Sequence, residues 1–232
     1  MANLSGKKNR SGSTKVLVMF SLCLIAIIGF FLTYNYYNQL ELYKDGLYKK
    51  LNAIAITTAL SIDVEEHEYL VQTYINEGDI VTREQDSIYS KLYHYFKNIE
   101  VDDSLNSPIC TLFRVDSLEG DPHFYYGINS GDGMPDETFR NEYLEHATVL
   151  TEQYEIGAII PSYESENGYW ASAFHPFTNS TGEVVGVVKV EEEFTRYVSD
   201  LQRQTIWSSL VSLFFSVLMI FFIIRAVRKL LL

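Results

Sequence analysis

Cysteine and basic residues are scarce in this sequence, and each shortage excludes a class of protein. Two of the 232 residues are cysteine, and Cys23 lies inside an uncharged apolar stretch, so Cys110 cannot belong to an internal disulfide and the fold needs an ordinary apolar core. Lys and Arg number 18 against 30 Asp and Glu, and the net charge of −12 excludes a nucleic-acid binder attracted by phosphate. An apolar content of 47% excludes a disordered chain.

The sequence also lacks the motifs of catalysis and of metal binding. Its five histidines fit no metal-ligand spacing, and the zinc-protease pattern that starts at His67 has Val71 in place of the second histidine. There is no G-x-S-x-G elbow, and the acids around Gly131 lack the spacing of a calcium loop. We therefore expect no enzyme, no metal and no cofactor. We expect the acid runs 65–68 and 191–193 to be solvated faces, with a divalent cation there as the alternative.

Two uncharged apolar stretches, residues 16–34 and 206–224, are each 19 residues long. A helix of that length measures about 28 Å and crosses a bilayer core. A pair of buried core helices is the alternative, and for the first stretch so is a cleaved signal peptide. The segment from Thr33 to Tyr37 has no small-residue cleavage site, so we interpret the first stretch as a signal anchor.

Charge is segregated along the chain. All 30 acids lie between Glu41 and Asp200, whereas the two chain ends carry basic residues and no acids: Lys7, Lys8, Arg10, Lys15, Arg225, Arg228 and Lys229. The positive-inside rule therefore predicts a two-pass protein of the inner membrane with both ends in the cytoplasm. The predicted organisation is a cytoplasmic tail at 1–15, a membrane helix at 16–34, an extracytoplasmic domain at 35–205, a second membrane helix at 206–224 and a cytoplasmic end at 225–232.

Helical periodicity continues beyond the first apolar stretch. An apolar stripe recurs at three- and four-residue steps: Leu40, Tyr43, Leu47, Leu51, Ile54, Thr58 and Ile62. Either a second copy pairs with this stripe in a homodimer, or the stripe packs on its own domain. Asp63 with Glu66 predicts a helix start and Gly78 its end, and Thr82 with Gln85 predicts another start. The helix that begins near Thr82 has one apolar face: Tyr89, Leu92, Tyr93, Phe96 and Ile99.

Farther along, the period becomes that of strands. Runs of β-branched and aromatic residues between turn signals predict strands at 109–116, 122–128, 155–163, 169–177 and 183–191, with a helix at 137–151 between the second and third. Alternation in the fourth strand puts Tyr169 and His175 on one face and Trp170, Ser172 and Phe174 on the other. From Glu192 the pattern is helical again and runs into the second membrane stretch.

This order, and above all the run from Gly168 to Phe177 followed by Gly182 to Glu191, resembles the single Cache domain, the PAS-like sensor of bacterial membrane receptors. The resemblance implies an α+β fold with an antiparallel sheet and a long N-terminal helix. It also implies a periplasmic domain that senses a small-molecule ligand. In the matching segment we expect Gly182 to adopt positive φ in a turn and Gly186 to allow close approach of another backbone.

The sequence departs from the family where amino-acid-binding members hold their ligand. Glu191 stands where aspartate is usual, Arg140 and Tyr143 lack the tryptophan expected between them, and Tyr163 precedes Glu164 where tyrosine-aspartate is expected. Amino-acid binding therefore does not follow from the resemblance.

The expected pocket lies over the sheet, beneath the connection 127–155. Its candidate residues are two cations that suit a carboxylate, together with aromatic and imidazole side chains: Arg114, Arg140, Tyr125, Tyr163, Tyr169 and His175. The expected ligand is a small anionic or zwitterionic molecule, such as an organic acid or an amino acid. In the alternative, Arg114 pairs with a nearby acid and the tyrosines fill a core.

The expected function is ligand sensing by the input module of a transmembrane receptor, without catalysis in this chain. An output kinase or cyclase, if present, lies outside it. Two arrangements stay open: the chain is the input part of a longer receptor, or it is a complete small protein that passes its signal to a cytoplasmic effector. A structural subunit of a cell-envelope complex is the alternative from another class, and an extracytoplasmic enzyme is a third.

Overall fold

The computed structural model describes residues 5–116, 120–131, 138–165 and 167–230. Its chain divides into two compact units. One unit is Lys44–Thr195, and the other combines Met1–Tyr43 with Arg196–Leu232. The acids at 132–137, which were weighed above as a calcium loop, lie outside the described residues.

The first of these units is an α+β domain built on one antiparallel sheet. Its helices are the end of α1 (Ser5–Ser61), α2 (Val64–Thr73), α3 (Ser87–Asp102) and α4 (Ala147–Gln153). Its strands are β1 (Cys110–Val115), β2 (His123–Asn129), β3 (Glu142–Tyr143), β4 (Ala158–Ser165), β5 (Gly168–Thr178) and β6 (Val184–Glu193). The sheet order is β3-β2-β1-β6-β5-β4, and all pairs are antiparallel. The expected fold class, a mixed helical domain with an antiparallel sheet and a long N-terminal helix, is confirmed.

Side-chain caps set the helix boundaries. Asp63 accepts a hydrogen bond from the backbone N–H of Glu66 at 3.1 Å and begins α2, as predicted. That helix ends at Thr73, five residues before Gly78, which instead adopts positive φ in the following turn. The next helix begins later than predicted, because Asp86 rather than Thr82 caps it.

The connection between β2 and β4 differs from the prediction. A single helix over 137–151 is wrong within the described residues, because β3 pairs with β2 at Glu142 and Tyr143 before α4 begins at Ala147. A strand of two residues is too short to show alternation in the sequence. Its pairing with Phe124 and Tyr125 is a long-range contact that local periodicity does not report.

Strand alternation gives the sheet two different faces. The face covered by α4, here called the α4 face, carries an apolar cluster: Cys110, Leu112, Phe124, Tyr126, Tyr143, Leu150, Tyr154, Ile160, Phe174 and Val187. The opposite face, here called the helix face, contacts the N-terminal helices. There His67 of α2 contacts Thr111 and the ring of Phe177, and Lys50 of α1 contacts Glu192.

The apolar stripe of α1 is largely buried in the single chain. Leu47, Leu51, Ile54, Thr58 and Ile62 are all below a tenth exposed, whereas Leu40 and Tyr43 are half-buried. The stripe therefore packs within its own chain from Leu47 onward, and those residues are not available to pair with a second copy. The homodimer stays a prediction.

The second unit consists of the apolar parts of α1 and of α5 (Thr195–Leu230). Both helices are long and apolar enough, by length and composition, to cross a membrane. Within this unit the rings of Tyr43 and Tyr197 stack with centroids 3.6 Å apart. The Tyr197 hydroxyl donates to the carbonyl oxygen of Gln39 at 3.4 Å.

Candidate functional site

A buried ion pair lies on the α4 face of strand β6. The ammonium Nζ of Lys189 is 2.9 Å from Glu191 Oε2, and the side chain of Lys189 is 2% exposed. Two hydroxyls donate hydrogen bonds to the Glu191 carboxylate: Ser107 to Oε1 and Ser172 to Oε2, each at 3.3 Å. Burial of a charge is costly unless it is paired and hydrogen-bonded, so both charges depend on this arrangement.

Aromatic rings surround the lysine. Its Nζ lies 5.1 Å from the ring centroid of Tyr143 and 5.9 Å from that of Tyr126, within the range of cation–π attraction. Burial on its own would lower the pKa of Lys189. The adjacent Glu191 carboxylate outweighs that effect and raises the pKa well above its ordinary value. Lys189 therefore stays positively charged at neutral pH.

Three polar atoms on the same face are buried without a hydrogen-bond partner among the described residues: Tyr143 Oη, His146 Nε2 and Trp170 Nε1. The His146 ring contacts the ring of Tyr163 at 4.5 Å, and the Tyr163 hydroxyl lies 3.0 Å from Ser172 Oγ. Trp170 is paired with Tyr163 across the β4–β5 ladder and shares its face. We call the set Tyr143, His146, Tyr163, Trp170, Ser172, Lys189 and Glu191 the polar cluster.

Unpartnered buried polar atoms are rare in folded proteins, because each costs about 1–3 kcal/mol relative to a hydrogen-bonded one. Three such atoms in one cluster, none of them with a partner among the described residues, make the polar cluster the candidate site. His146, a member of the cluster that precedes α4, also has an uncommon backbone conformation, with φ +52 although it is not glycine. Such conformations concentrate at functional sites.

The charges of the polar cluster balance. Lys189 and Glu191 cancel, and burial lowers the pKa of His146, which favours its neutral form. Burial raises the pKa of Tyr143 far above its ordinary value and, with the nearby Glu191, raises that of Tyr163 to about 12. Both hydroxyls therefore remain protonated. The cluster offers one fixed cation, one fixed anion and neutral hydrogen-bonding groups.

The structure brings only one of the six sequence-predicted residues into this cluster, namely Tyr163. Arg114 lies on the α4 face, but its guanidinium pairs with Asp116 at 2.6 Å and lies 6.0 Å from the ring of Tyr154. The nearby acid that was weighed as the alternative for Arg114 is therefore present. Arg114 is also exposed, whereas Lys189 is buried.

Arg140 has a structural role instead. Its guanidinium donates to the carbonyl oxygens of Val71 and Tyr74 at the end of α2 and lies 5.0 Å from the ring of Phe113. Unsatisfied carbonyls at a helix C-terminus favour a cation in this position. Arg140 is thus committed on the helix face and does not reach the cluster.

The other three predicted residues are on the helix face as well, because strand alternation separates them from Tyr163. Tyr125 stacks on Phe113, and Tyr169 lies against Phe194. Burial lowers the pKa of His175, and this residue lines a separate cavity of about 520 Å³ together with Asn52, Glu152 and Gln153. The six residues do not form one pocket.

Sequence reasoning missed Lys189, Glu191, Tyr143 and His146. One signal was present: a lysine inside the apolar run of β6, followed two residues later by an acid, places both charges on one face of a buried strand. The prediction that 191–193 is a solvated face is wrong, because Glu191 is 8% exposed and Glu192 and Glu193 are half-buried. Among the described residues, no group of three or more His, Cys, Asp or Glu side chains could hold a metal ion.

No family model matches the chain, and no curated protein matches it. Similar solved structures include the sensory domain of the Campylobacter jejuni chemoreceptor Tlp3 with isoleucine bound, at 10% identity, covering 88% of this chain and 68% of that one, with a TM-score of 0.37. A complex of the same domain with L-valine has 11% identity, the same coverage and a TM-score of 0.37. An RNA-binding light-oxygen-voltage receptor follows at 10% identity, 88% and 70% coverage and a TM-score of 0.27.

The chain thus has chemoreceptor sensory domains among its structural neighbours. At such TM-scores the likenesses carry no argument about what this chain binds, and the fold stands on its own sheet order and pairing.

Proposed function

We propose that this chain is the ligand-sensing input module of a bacterial transmembrane receptor. The observation that carries the proposal is the order along the chain, in which the folded domain follows one membrane-length helix and precedes another. Helix α1 continues from its apolar part into the domain without a break, and α5 begins two residues after β6 ends. A domain joined to a membrane helix at both ends can pass a change of conformation to both.

The proposed topology follows from the charges at the two ends. Residues 1–15 and 225–232 are cytoplasmic, 16–34 and 206–224 cross the inner membrane, and 35–205 are periplasmic. Basic residues flank both apolar stretches on the cytoplasmic side, and all the acids lie between the stretches. An effector, either in the same polypeptide or separate, receives the signal in the cytoplasm.

The polar cluster is the proposed ligand site. A small molecule that enters it meets Lys189 and Glu191 together, and a ligand with a net charge would leave one of these buried charges uncompensated. The charge balance therefore favours a zwitterion over an organic acid, the other class expected from the sequence. A carboxylate would face Lys189 and an ammonium would face Glu191. The atoms of Tyr143, His146 and Trp170 that have no partner within the described ranges would supply the remaining hydrogen bonds.

Thermal-shift screening of the full chain in detergent, against the twenty amino acids and a series of small organic acids, tests the proposal. We expect at least one amino acid to raise the melting temperature of the parent. The shift should disappear in Lys189→Met and persist in Lys91→Met, a matched variant whose lysine pairs with Glu66 at the surface. A shift that survives in Lys189→Met would contradict this site, and no shift with any compound would favour the structural-subunit alternative.

A homodimer remains part of the proposal, without the buried α1 stripe as its basis. Mass measurement of the full chain in detergent, corrected for bound detergent, distinguishes one copy from two. A purely monomeric particle over the working concentration range would remove the homodimer from the account and leave the ligand site unaffected.

A further inference from the structure

Three consecutive acids at the end of β6 have three different environments. Glu191 and Glu193 lie on the α4 face and Glu192 on the helix face, since neighbouring strand residues point to opposite sides. Glu191 belongs to the polar cluster. Glu193 Oε1 accepts a hydrogen bond from the backbone N–H of Thr195 at 2.5 Å, at the start of α5. Glu192 pairs with Lys50 of α1 at 2.7 Å.

The Lys50–Glu192 ion pair joins the N-terminal helix to the last strand. The two side chains are 35% and 14% exposed, so the pair is partly shielded from water. Lys50 stands next to Leu51 and one turn after Leu47, both of which are buried. Because packing fixes the backbone of that part of α1, only the side chain of Lys50 can follow a moving partner. A displaced Glu192 therefore changes either the ion pair or the helix.

Two neighbouring loop residues are hydrogen-bonded to the end of β6. The Asn106 amide donates to the carbonyl oxygen of Glu193 at 2.6 Å and accepts from the Glu193 N–H at 3.0 Å. The adjacent Ser107 donates to Glu191. These bonds hold the end of the strand at two residues of the α4 face, Glu191 and Glu193. Glu192 lies between them in sequence and points to the helix face. A shift of the Glu191 backbone is thereby carried to Glu192.

We infer that the Lys50–Glu192 ion pair couples the polar cluster to helix α1. A change in the bonding of Glu191 moves the end of β6, and Glu192 transfers that movement to Lys50. The physiological meaning of this coupling rests on the proposed ligand site, since ligand binding is the event that would change the bonding of Glu191. The coupling itself is a property of the chain without ligand.

The test uses the full chain in detergent and hydrogen exchange of the backbone amides of residues 47–58, followed by mass spectrometry. Glu191→Gln perturbs the polar cluster, and Ser172→Ala, which removes one hydrogen bond to Glu191, is a milder second perturbation in case the first fails to fold. Each is made in the parent, in Lys50→Gln and in Lys49→Gln. Lys49 is the matched control, because it pairs with Asp45 on its own helix and both side chains are mostly exposed.

We expect the perturbation to speed exchange over 47–58 by about threefold or more in the parent and in Lys49→Gln. In Lys50→Gln the same perturbation should add almost nothing. An equal acceleration in the Lys50→Gln and Lys49→Gln backgrounds would overturn the inference, and so would no acceleration in the parent. Because no ligand is used, failure here leaves the ligand site standing, and failure of the ligand screen leaves this result standing.

Discussion

At the scale of single residues, the hydroxyl of Tyr143 gives the clearest test of whether the polar cluster is a ligand site or an ordinary core. It is buried beside Lys189 and has no hydrogen-bond partner among the described residues. Removal of an unpartnered buried group costs no hydrogen bond and relieves its desolvation. We predict that Tyr143→Phe leaves the free energy of unfolding unchanged or raises it by up to about 1 kcal/mol, measured by urea denaturation.

Tyr163 is the matched control for that substitution. Its hydroxyl is hydrogen-bonded to Ser172 Oγ at 3.0 Å, so Tyr163→Phe should lower the free energy of unfolding by about 1 kcal/mol. Equal destabilisation by both variants would mean that the Tyr143 hydroxyl has a partner in the folded chain, and the argument from unpartnered atoms would then fail.

His67 on the helix face makes stability depend on pH. It is fully buried, its Nε2 contacts Thr111 Oγ1 at 2.9 Å, and burial lowers its pKa to about 4. Between that value and the ordinary 6.5, the unfolded chain binds a proton that the folded chain does not. The contribution of neutral His67 to the free energy of unfolding is therefore fully present above pH 6.5. As the pH falls toward 4, the free energy of unfolding decreases by about 3 kcal/mol from this residue.

His67→Gln checks this prediction, because glutamine keeps a polar group near Thr111 and does not titrate. Carboxylates and the other histidines contribute equally to both proteins, so the difference between the two pH profiles isolates His67. We expect the variant to be less stable at pH 7 and its deficit to shrink as the pH falls from 6.5 to 4. A deficit that is constant with pH would show that His67 is not a buried neutral imidazole.

At the scale of elements, strand β6 depends on a glycine whose role the sequence indicates. A Cβ at Gly186 would lie 2.9 Å from the carbonyl oxygen of Leu112 and 2.6 Å from Cζ of Phe177. The expected close approach of another backbone is therefore present. Gly186→Ala should lower the free energy of unfolding by about 1–3 kcal/mol, because the backbone oxygen cannot give way cheaply.

Gly46 supplies the opposite case. It lies in α1, where an added Cβ meets nothing within 4 Å, and alanine is the better helix former. Gly46→Ala should raise the free energy of unfolding by about 0.5–1 kcal/mol in the same denaturation experiment. If both variants destabilise equally, close packing at Gly186 is not the reason for its glycine.

Most of the secondary structure follows from local patterns in the sequence. Alternation with β-branched and aromatic residues locates β1, β2, β4, β5 and β6 to within a few residues, and Asp63 fixes the start of α2. Gly182 has the expected positive φ, at +85. The exceptions are the end of α2, which comes before Gly78, and two features that non-local pairing or a competing cap decides. These are the short strand β3 with the later start of α4, and the start of α3, which Asp86 caps.

The candidate site is much less predictable, since it assembles from distant segments. Ser107, Tyr143, Tyr163, Ser172 and Glu191 come from five segments, and only the sheet order brings them together. Candidates chosen by residue type alone are distributed over both faces. Arg140 and Arg114 are cations already committed, to the end of α2 and to Asp116. Charge and aromaticity thus identify suitable chemistry, and strand register decides which residues meet.

At the scale of the whole molecule, the proposed topology predicts which positions face outward. Single cysteines at the exposed positions Glu164 and Arg225, placed in a chain with Cys23→Ala and Cys110→Ala, should differ in their reaction with an impermeant maleimide in intact cells. We expect labelling at 164 and none at 225 until the membrane is made permeable. Labelling at 225 but not at 164 would invert the topology, and labelling at both would exclude a two-pass arrangement.

The central claim is that a small molecule completes the polar cluster, and the two tryptophans of the chain allow a direct test. Trp170 has a buried indole N–H in the cluster with no partner in the described part of the chain, whereas Trp207 lies exposed on α5. The measurement is the ¹H–¹⁵N indole spectrum of the full chain in detergent, titrated with the amino acids and assigned with Trp170→Phe. The account predicts that at least one compound shifts the Trp170 signal and leaves Trp207 in place. A Trp170 signal that no compound moves, or one that moves only together with Trp207, would contradict it.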